Sequence, residues 1–174
     1  MKADVINVRF SGLGGMGVLK ASYLLAQTAF RAGCDVKKAD VHGMAQRGGS
    51  LASDVRFGPR VLSPMIPRGQ VDVLVALAPE WAHLHTPDLR PGGILITPEQ
   101  VDAAALPSRK AVNVALLGIL SRHLEFTESL WLDAIRGAFP AALAEANVHA
   151  FRAGRALSGG PAAAPGGERQ EESR

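Results

Sequence analysis

The chain has 174 residues, 47% of them hydrophobic and 5% aromatic, with a formal net charge of +3 and one cysteine, Cys34. This length sets a single domain with a proper core, and no apolar run approaches the ~20 residues that span a bilayer. The small, dispersed charge and few aromatics argue against nucleic acid, and one cysteine excludes an internal disulfide or a Cys-ligated cluster built by this chain alone. The opening MKADVINVRF lacks the apolar stretch of a signal peptide, so cytoplasm is the default compartment.

Val5–Phe10 is apolar and β-branched, with no turn former, and reads as a first strand. Ser11–Leu19, SGLGGMGVL, follows at once. Gly12, Gly14 and Gly17 stand in G-x-G-x-x-G spacing, with Gly15 as an extra glycine. A strand that turns sharply into a helix needs glycine's tolerance of positive φ. The new helix then offers unpaired N–H groups and a positive dipole end to an anion. Val18–Ala32 reads as that helix, with Val18, Ala21, Ser22, Leu25, Ala29 and Ala32 on one face and Gly33 as its C-cap. Asp35–Ala39 is the second strand of a β-α-β opening.

Val41–Ser50, VHGMAQRGGS, holds Gly43, Gly48 and Gly49 and reads as neither strand nor helix. Leu51–Phe57 alternates as a strand with one wet face, Gly58-Pro59 turns, and Val61-Leu62 offers a return strand. Ser63–Gln70 is a proline-rich loop, and Val71–Leu77, VDVLVAL, is the strongest strand and the central one. Pro79 opens a short helix to about Leu84, and Ile94–Thr97 is another buried strand. Helices follow over Ala111–Leu124, over Glu128–Ala138 with Thr127 as N-cap, and over Ala141–Leu157. Residues 1–157 form one domain on this reading; 158–174, rich in Gly, Pro, Ala and charge, read as a disordered tail.

Each residue of interest has a functional and a structural reading. Gly12, Gly14, Gly15 and Gly17 seat a phosphate or carboxylate, or they make a tight turn that lets the helix pack. A dinucleotide site also wants an acid after the second strand, where Asp40 fits better than Asp35. Arg47, Gly48 and Gly49 form an anion clamp, a guanidinium fork beside accessible backbone N–H groups, or Arg47 ties the loop to another subunit. Gln46 and Ser50 add neutral hydrogen bonds. His42 is a general acid or base, or a loop histidine bonded to backbone. His83, His85, His123 and His149 show no metal-ligand spacing. Met44 and Met65 pack, or line an adaptable apolar wall. Cys34 reads as a small hydrophobe, and Trp81 and Trp131 as core or interface anchors.

Two stretches together carry a resemblance. GLGGMGVL at Gly12–Leu19 is joined by HGMAQRGGS at His42–Ser50, then by Asp54–Phe57, Ser63–Pro67 and Asp72–Ala76. This series resembles the gamma-type domain of the 2-oxoacid:ferredoxin oxidoreductases, and HGMAQRGG most resembles the small subunit of the indolepyruvate enzymes. The likeness runs from about Val5 to Ala153; Met16 stands where that family often has glutamine. It implies thiamine-diphosphate-dependent oxidative decarboxylation of an arylpyruvate, with the acyl group passed to coenzyme A and electrons passed through iron–sulfur clusters to ferredoxin. It also implies a large catalytic subunit as partner. One cysteine cannot ligate a [4Fe–4S] cluster, and no GDG…N segment is present to hold thiamine diphosphate through Mg. Those groups therefore belong on the partner, and no cofactor is bound wholly by this chain.

The expected fold is α/β: three layers, a mainly parallel sheet with a Rossmann-like glycine loop after strand 1, and helices on both faces. Gly12–Gly17 and His42–Ser50 should converge at the strand carboxyl ends. The rivals are a stand-alone NAD(P)- or flavin-binding protein and a structural subunit without a ligand.

Overall fold

Strand β1 spans Ile6–Leu13, three residues further into the glycine motif than its apolar run. The computed structural model describes residues 5–42, 50–157 and 162–163. The expected tail therefore lies almost wholly outside the described residues, as do Met44, Gln46, Arg47, Gly48 and Gly49. Helix α1 is Val18–Arg31, and β2 (Asp35–His42) and β3 (Ser50–Gly58) follow. Strands β4 (Val71–Ala76) and β5 (Leu89–Ile96) come next. Three α-helices close the fold: α2 (Val112–Leu120), α3 (Glu128–Ala138) and α4 (Ala141–Ala156). A two-residue strand, β6 (Ala162–Ala163), lies antiparallel on β5.

The sheet order is β2-β3-β1-β4-β5-β6. β1, β4 and β5 are parallel neighbours, while β3 is antiparallel to both β1 and β2. β2 therefore runs in the direction of β1, but with β3 inserted between them. The sheet is thus mixed rather than mainly parallel. Val61-Leu62 forms no return strand: the Val61 N–H donates to the Asp35 carboxylate at 2.8 Å instead. Lys37, and after it that bond, hold the Asp35 carboxyl below the usual range.

All four α-helices share one hydrophobic core with one face of the sheet, and short 3-10 helices stand against the other. Val8, Phe10, Val55, Val73, Val75 and Ile96 meet Leu24, Leu25, Leu116, Leu117, Trp131, Ile135, Val148 and Phe151. The opposite face carries Leu74, packed with Ile66, Val71 and Leu89 in a second, smaller apolar cluster, together with a polar network. Arg9 grips Asp54 through two bonds of 2.6 and 2.8 Å and reaches Asp88 at 2.5 Å. Arg56 bonds Asn7, whose N–H reaches Asp72, and Asp72 pairs with Arg90. Short 3-10 turns over Pro79–Leu84 and Thr86–Asp88 cover part of this face, where Asp88 meets Arg9.

Helix α2 is apolar on every side, and Asn113 through Leu120 are all buried. It lies between the sheet and α4, and the contact with α4 is very close. A Cβ on Gly154 would sit 1.9 Å from the Ala115 carbonyl oxygen, and one on Gly118 2.0 Å from that of Phe151. Arg155 finishes the joint by donating to the Ser121 carbonyl and hydroxyl at 3.2 and 2.6 Å. Trp131 is fully buried between Phe126 and Phe151, with ring centroids 6.2 and 5.6 Å away, which settles it as a core residue. Cys34 is half-buried against the core, which pushes its thiol pKa up. Among the described residues no helix is long and apolar enough to cross a membrane.

Candidate functional site

The carboxyl ends of β1, β2, β4 and β5 lie at one end of the sheet, as their shared direction requires. There Leu13 pairs with Ser50 and His42 with Leu51, so the connection between His42 and Ser50 begins and ends beside the glycine turn. Ser50 is half-buried at this edge.

The glycines divide by physical role. Gly12 ends up inside β1, where a Cβ would lie 3.0 Å from Val18 Cγ2 and 3.2 Å from Leu77 Cβ; its smallness lets α1 and the chain after β4 close in. Gly17 has φ +86°, and a Cβ there would lie 2.2 Å from Asn113 Nδ2. It caps α1 without a side chain, and the Ala21 N–H is the first to bond back, to the Gly17 carbonyl at 2.9 Å. The earlier N–H groups of that turn thus have no helical partner. Gly14 has open space around it and could carry a side chain. Met16 closes the turn, its N–H donating to the Leu13 carbonyl at 3.2 Å.

A cavity of about 570 Å³ opens beside this turn, lined by Gly15, Met16 and Gly17, by Leu77 after β4, and by Pro98 after β5. Its far wall is the start of α2: Arg109, Lys110, Val112 and Asn113. Asn113 is buried and joins the two walls, donating from Nδ2 to the Gly17 carbonyl at 3.3 Å. Arg109 and Lys110 are the charged lining residues, and neither side chain has an ion-pair partner among the described residues. Sequence reasoning passed over them. They precede α2 by one turn, and nothing local marks a 92-residue separation from Gly17 as a contact. The available signal was the pair of adjacent cations at a helix start, where carboxylates are usual.

The other sequence-stated residues scatter. Asp40 accepts from Ser53 Oγ at 2.5 Å and pairs with Lys38, at the β2 edge rather than at the cavity. His83 bonds the Glu80 carbonyl at 2.9 Å. His85 lies 3.7 Å from Asp88; burial, then the Arg9 charge, lowers its pKa, with Asp88 opposing. Burial also lowers that of His123. Among the described residues no group of three or more His, Cys, Asp and Glu side chains is placed to hold a metal ion. Met65 is exposed, and the side chains of His42 and Trp81 lie outside what is described.

Fold and site together define an α/β domain with a cationic cavity at the carboxyl ends of its parallel strands, where domains of this architecture seat ligands. Residues 7–157 match the family described as pyruvate ferredoxin/flavodoxin oxidoreductase, and the chain belongs to that family. It is 42% identical over 91 residues to indolepyruvate oxidoreductase subunit IorB of Thermococcus kodakarensis, covering 52% of this chain and 45% of that protein. The match thus spans under half the length of that relative. The crystal structure of the gamma subunit of a keto/oxoacid ferredoxin oxidoreductase from Geobacter sulfurreducens superposes with TM-score 0.71 at 25% identity, covering 86% of this chain and 95% of that one. A 2-oxoglutarate:ferredoxin oxidoreductase from Magnetococcus marinus, solved with 2-oxoglutarate, coenzyme A and succinyl-CoA, shares the fold, with TM-score 0.77 at 21% identity over 90% of this chain and 31% of that one. The stand-alone nucleotide-binding alternative finds no support in these likenesses.

Proposed function

We propose that the chain is the small subunit of an arylpyruvate ferredoxin oxidoreductase of the indolepyruvate type. The enzyme would decarboxylate a 2-oxoacid oxidatively to an acyl-CoA, with electrons leaving to ferredoxin. The observation that carries this is the cationic cavity at the glycine turn, in a chain that matches the oxidoreductase family over residues 7–157. The names of its relatives support the substrate class.

The chain's own residues do not fit the redox and thiamine groups. Cys34 is the single cysteine of the sequence, and a [4Fe–4S] cluster takes four thiolates. No metal-holding group occurs among the described residues to secure a diphosphate through Mg. We therefore assign those groups to a large partner subunit, with this chain completing the active site at their interface. Coenzyme A does fit: its phosphates suit a turn with unpaired N–H groups and a wall that carries two cations. Gly12 and Gly17 shape that turn. Arg47, Gly48, Gly49 and Ser50 are assigned to the neighbouring segment that meets substrate or coenzyme A across the interface. The setting is cytoplasmic in this proposal, and neither nucleic acid nor membrane is a partner.

Co-expression with a large thiamine-binding subunit tests the assignment. The two chains should co-purify at a fixed ratio. Arg47→Ala should keep that ratio and abolish turnover. Loss of assembly in Arg47→Ala would instead make that residue an interface tie, and no co-purification at all would overturn the subunit assignment.

A further inference from the structure

Helix α1 has a second apolar face that the core does not use. Leu19, Tyr23 and Phe30 are 40%, 46% and 68% exposed, and Ala26 between them is half-buried. At α-helical spacing these four residues fall within about 60° of arc and run about 16 Å along the helix. Met16, also exposed, continues the line at the head of the helix and lines the cavity at the glycine turn. The steps from Met16 through Leu19, Tyr23 and Ala26 to Phe30 alternate between three and four residues, the spacing of a seam that receives a second helix. On its α3 side the stripe borders a groove of about 440 Å³ lined by Leu19, Lys20, Tyr23, Gly137 and Ala138. Lys20 spans this groove, donating to the Ala138 carbonyl at 3.2 Å with its ammonium 5.2 Å from the Phe139 ring centre. Arg31 reaches the same helix end, where a Cβ on Gly137 would lie 3.4 Å from its guanidinium. Neither cation pairs with an acid among the described residues.

We propose that this stripe is the docking surface for an amphipathic helix of the large partner subunit, with apolar residues against Leu19, Tyr23 and Phe30 and carboxylates against Lys20 and Arg31. The identity of the partner rests on the proposed function. Three observations select this occupant. Met16 makes the stripe continuous with the cavity, so a subunit that closes the cavity from outside reaches α1 as well. Helix α1 contains no Asp or Glu, so a second copy docked through the same face would bring cations to Lys20 and Arg31 instead of carboxylates. The chain's own remaining segments suit the stripe no better: residues 158–174 carry no large apolar side chain, and residues 43–49 carry only Met44. Interfaces concentrate their binding energy in a few large anchors, and here those are Tyr23 and Phe30.

The test is a sedimentation titration of the full chain with the purified large thiamine-binding subunit. Tyr23→Lys/Phe30→Lys should weaken association about tenfold or more, at unchanged melting temperature because both side chains are exposed. Arg31→Glu should weaken it at low salt and less so at high salt. Leu62→Lys, at a residue 82% exposed on the loop after β3, should leave it unchanged. Parent-strength association of Tyr23→Lys/Phe30→Lys, or equal loss in Leu62→Lys, would overturn the docking surface and leave the subunit assignment standing. A chain that dimerises by itself, and that Tyr23→Lys/Phe30→Lys makes monomeric, would make the stripe a self-contact and overturn the proposal too. No association of the parent chain would overturn both readings.

Discussion

Gly154→Ala tests how closely α2 and α4 are packed. The added Cβ would lie 1.9 Å from the Ala115 carbonyl oxygen and 2.7 Å from its carbon, both backbone atoms of a buried helix. Restoring an ordinary contact means moving one helix by more than 1 Å, and overpacking of that kind costs about 3 kcal/mol or somewhat more. Alanine's better helix propensity returns about 1 kcal/mol. The net loss is then about 2–3 kcal/mol, or roughly 4–12 °C in melting temperature for a domain of this size. Gly137→Ala in α3 supplies the control: its Cβ would meet only the movable Arg31 guanidinium at 3.4 Å. There propensity acts alone, and the melting temperature should rise by about 2–4 °C. Thermal unfolding by circular dichroism reads both. If Gly154→Ala melts at or above the parent temperature, the close helix contact is refuted.

Three further outcomes follow from the same geometry. Gly17→Ala places a side chain at φ +86° and 2.2 Å from Asn113 Nδ2, so it should lower stability by about 2 kcal/mol in urea unfolding; Gly14→Ala, with open space around it, should not. Arg9→Met leaves Asp54, 1% exposed, without its countercharge and should cost about 3–5 kcal/mol in urea unfolding, against under about 1 kcal/mol for Arg136→Met on the surface. His85 and His123 have lowered pKa values, so the unfolded chain takes up protons first as pH falls below about 6.5. Melting temperature should thus fall as pH drops below about 6.5, with a shallower fall in His85→Asn; a rise on acidification would contradict the sign.

The elements that the sequence showed most clearly were those set by local pattern. The apolar period of Val18–Ala32, the Gly33 cap and the run Val71–Leu77 each translate directly into α1, its terminus and β4. The position of β3 was not legible, because pairing between Leu13 and Ser50 depends on register across the sheet rather than on local residues. One-sided helix packing was also hidden. Arg9, Asp54 and Asp88 look like ordinary surface charges in sequence, yet they form a part-buried ion-pair cluster on the face opposite the α-helices. Thr127 occupies the N-cap position, but its hydroxyl bonds Ser129 Oγ instead of a backbone N–H. At the site, the glycine turn was legible and Arg109–Lys110 were not, since their proximity comes only through the buried Asn113 contact.

The central claim is that this chain shares an active site with a larger subunit. Anaerobic reduction of ferredoxin with indolepyruvate and coenzyme A, measured for the co-expressed complex and for each subunit alone, tests it most directly. Turnover in the complex, with neither subunit active by itself, is the expected result. Full turnover by the large subunit alone would contradict it.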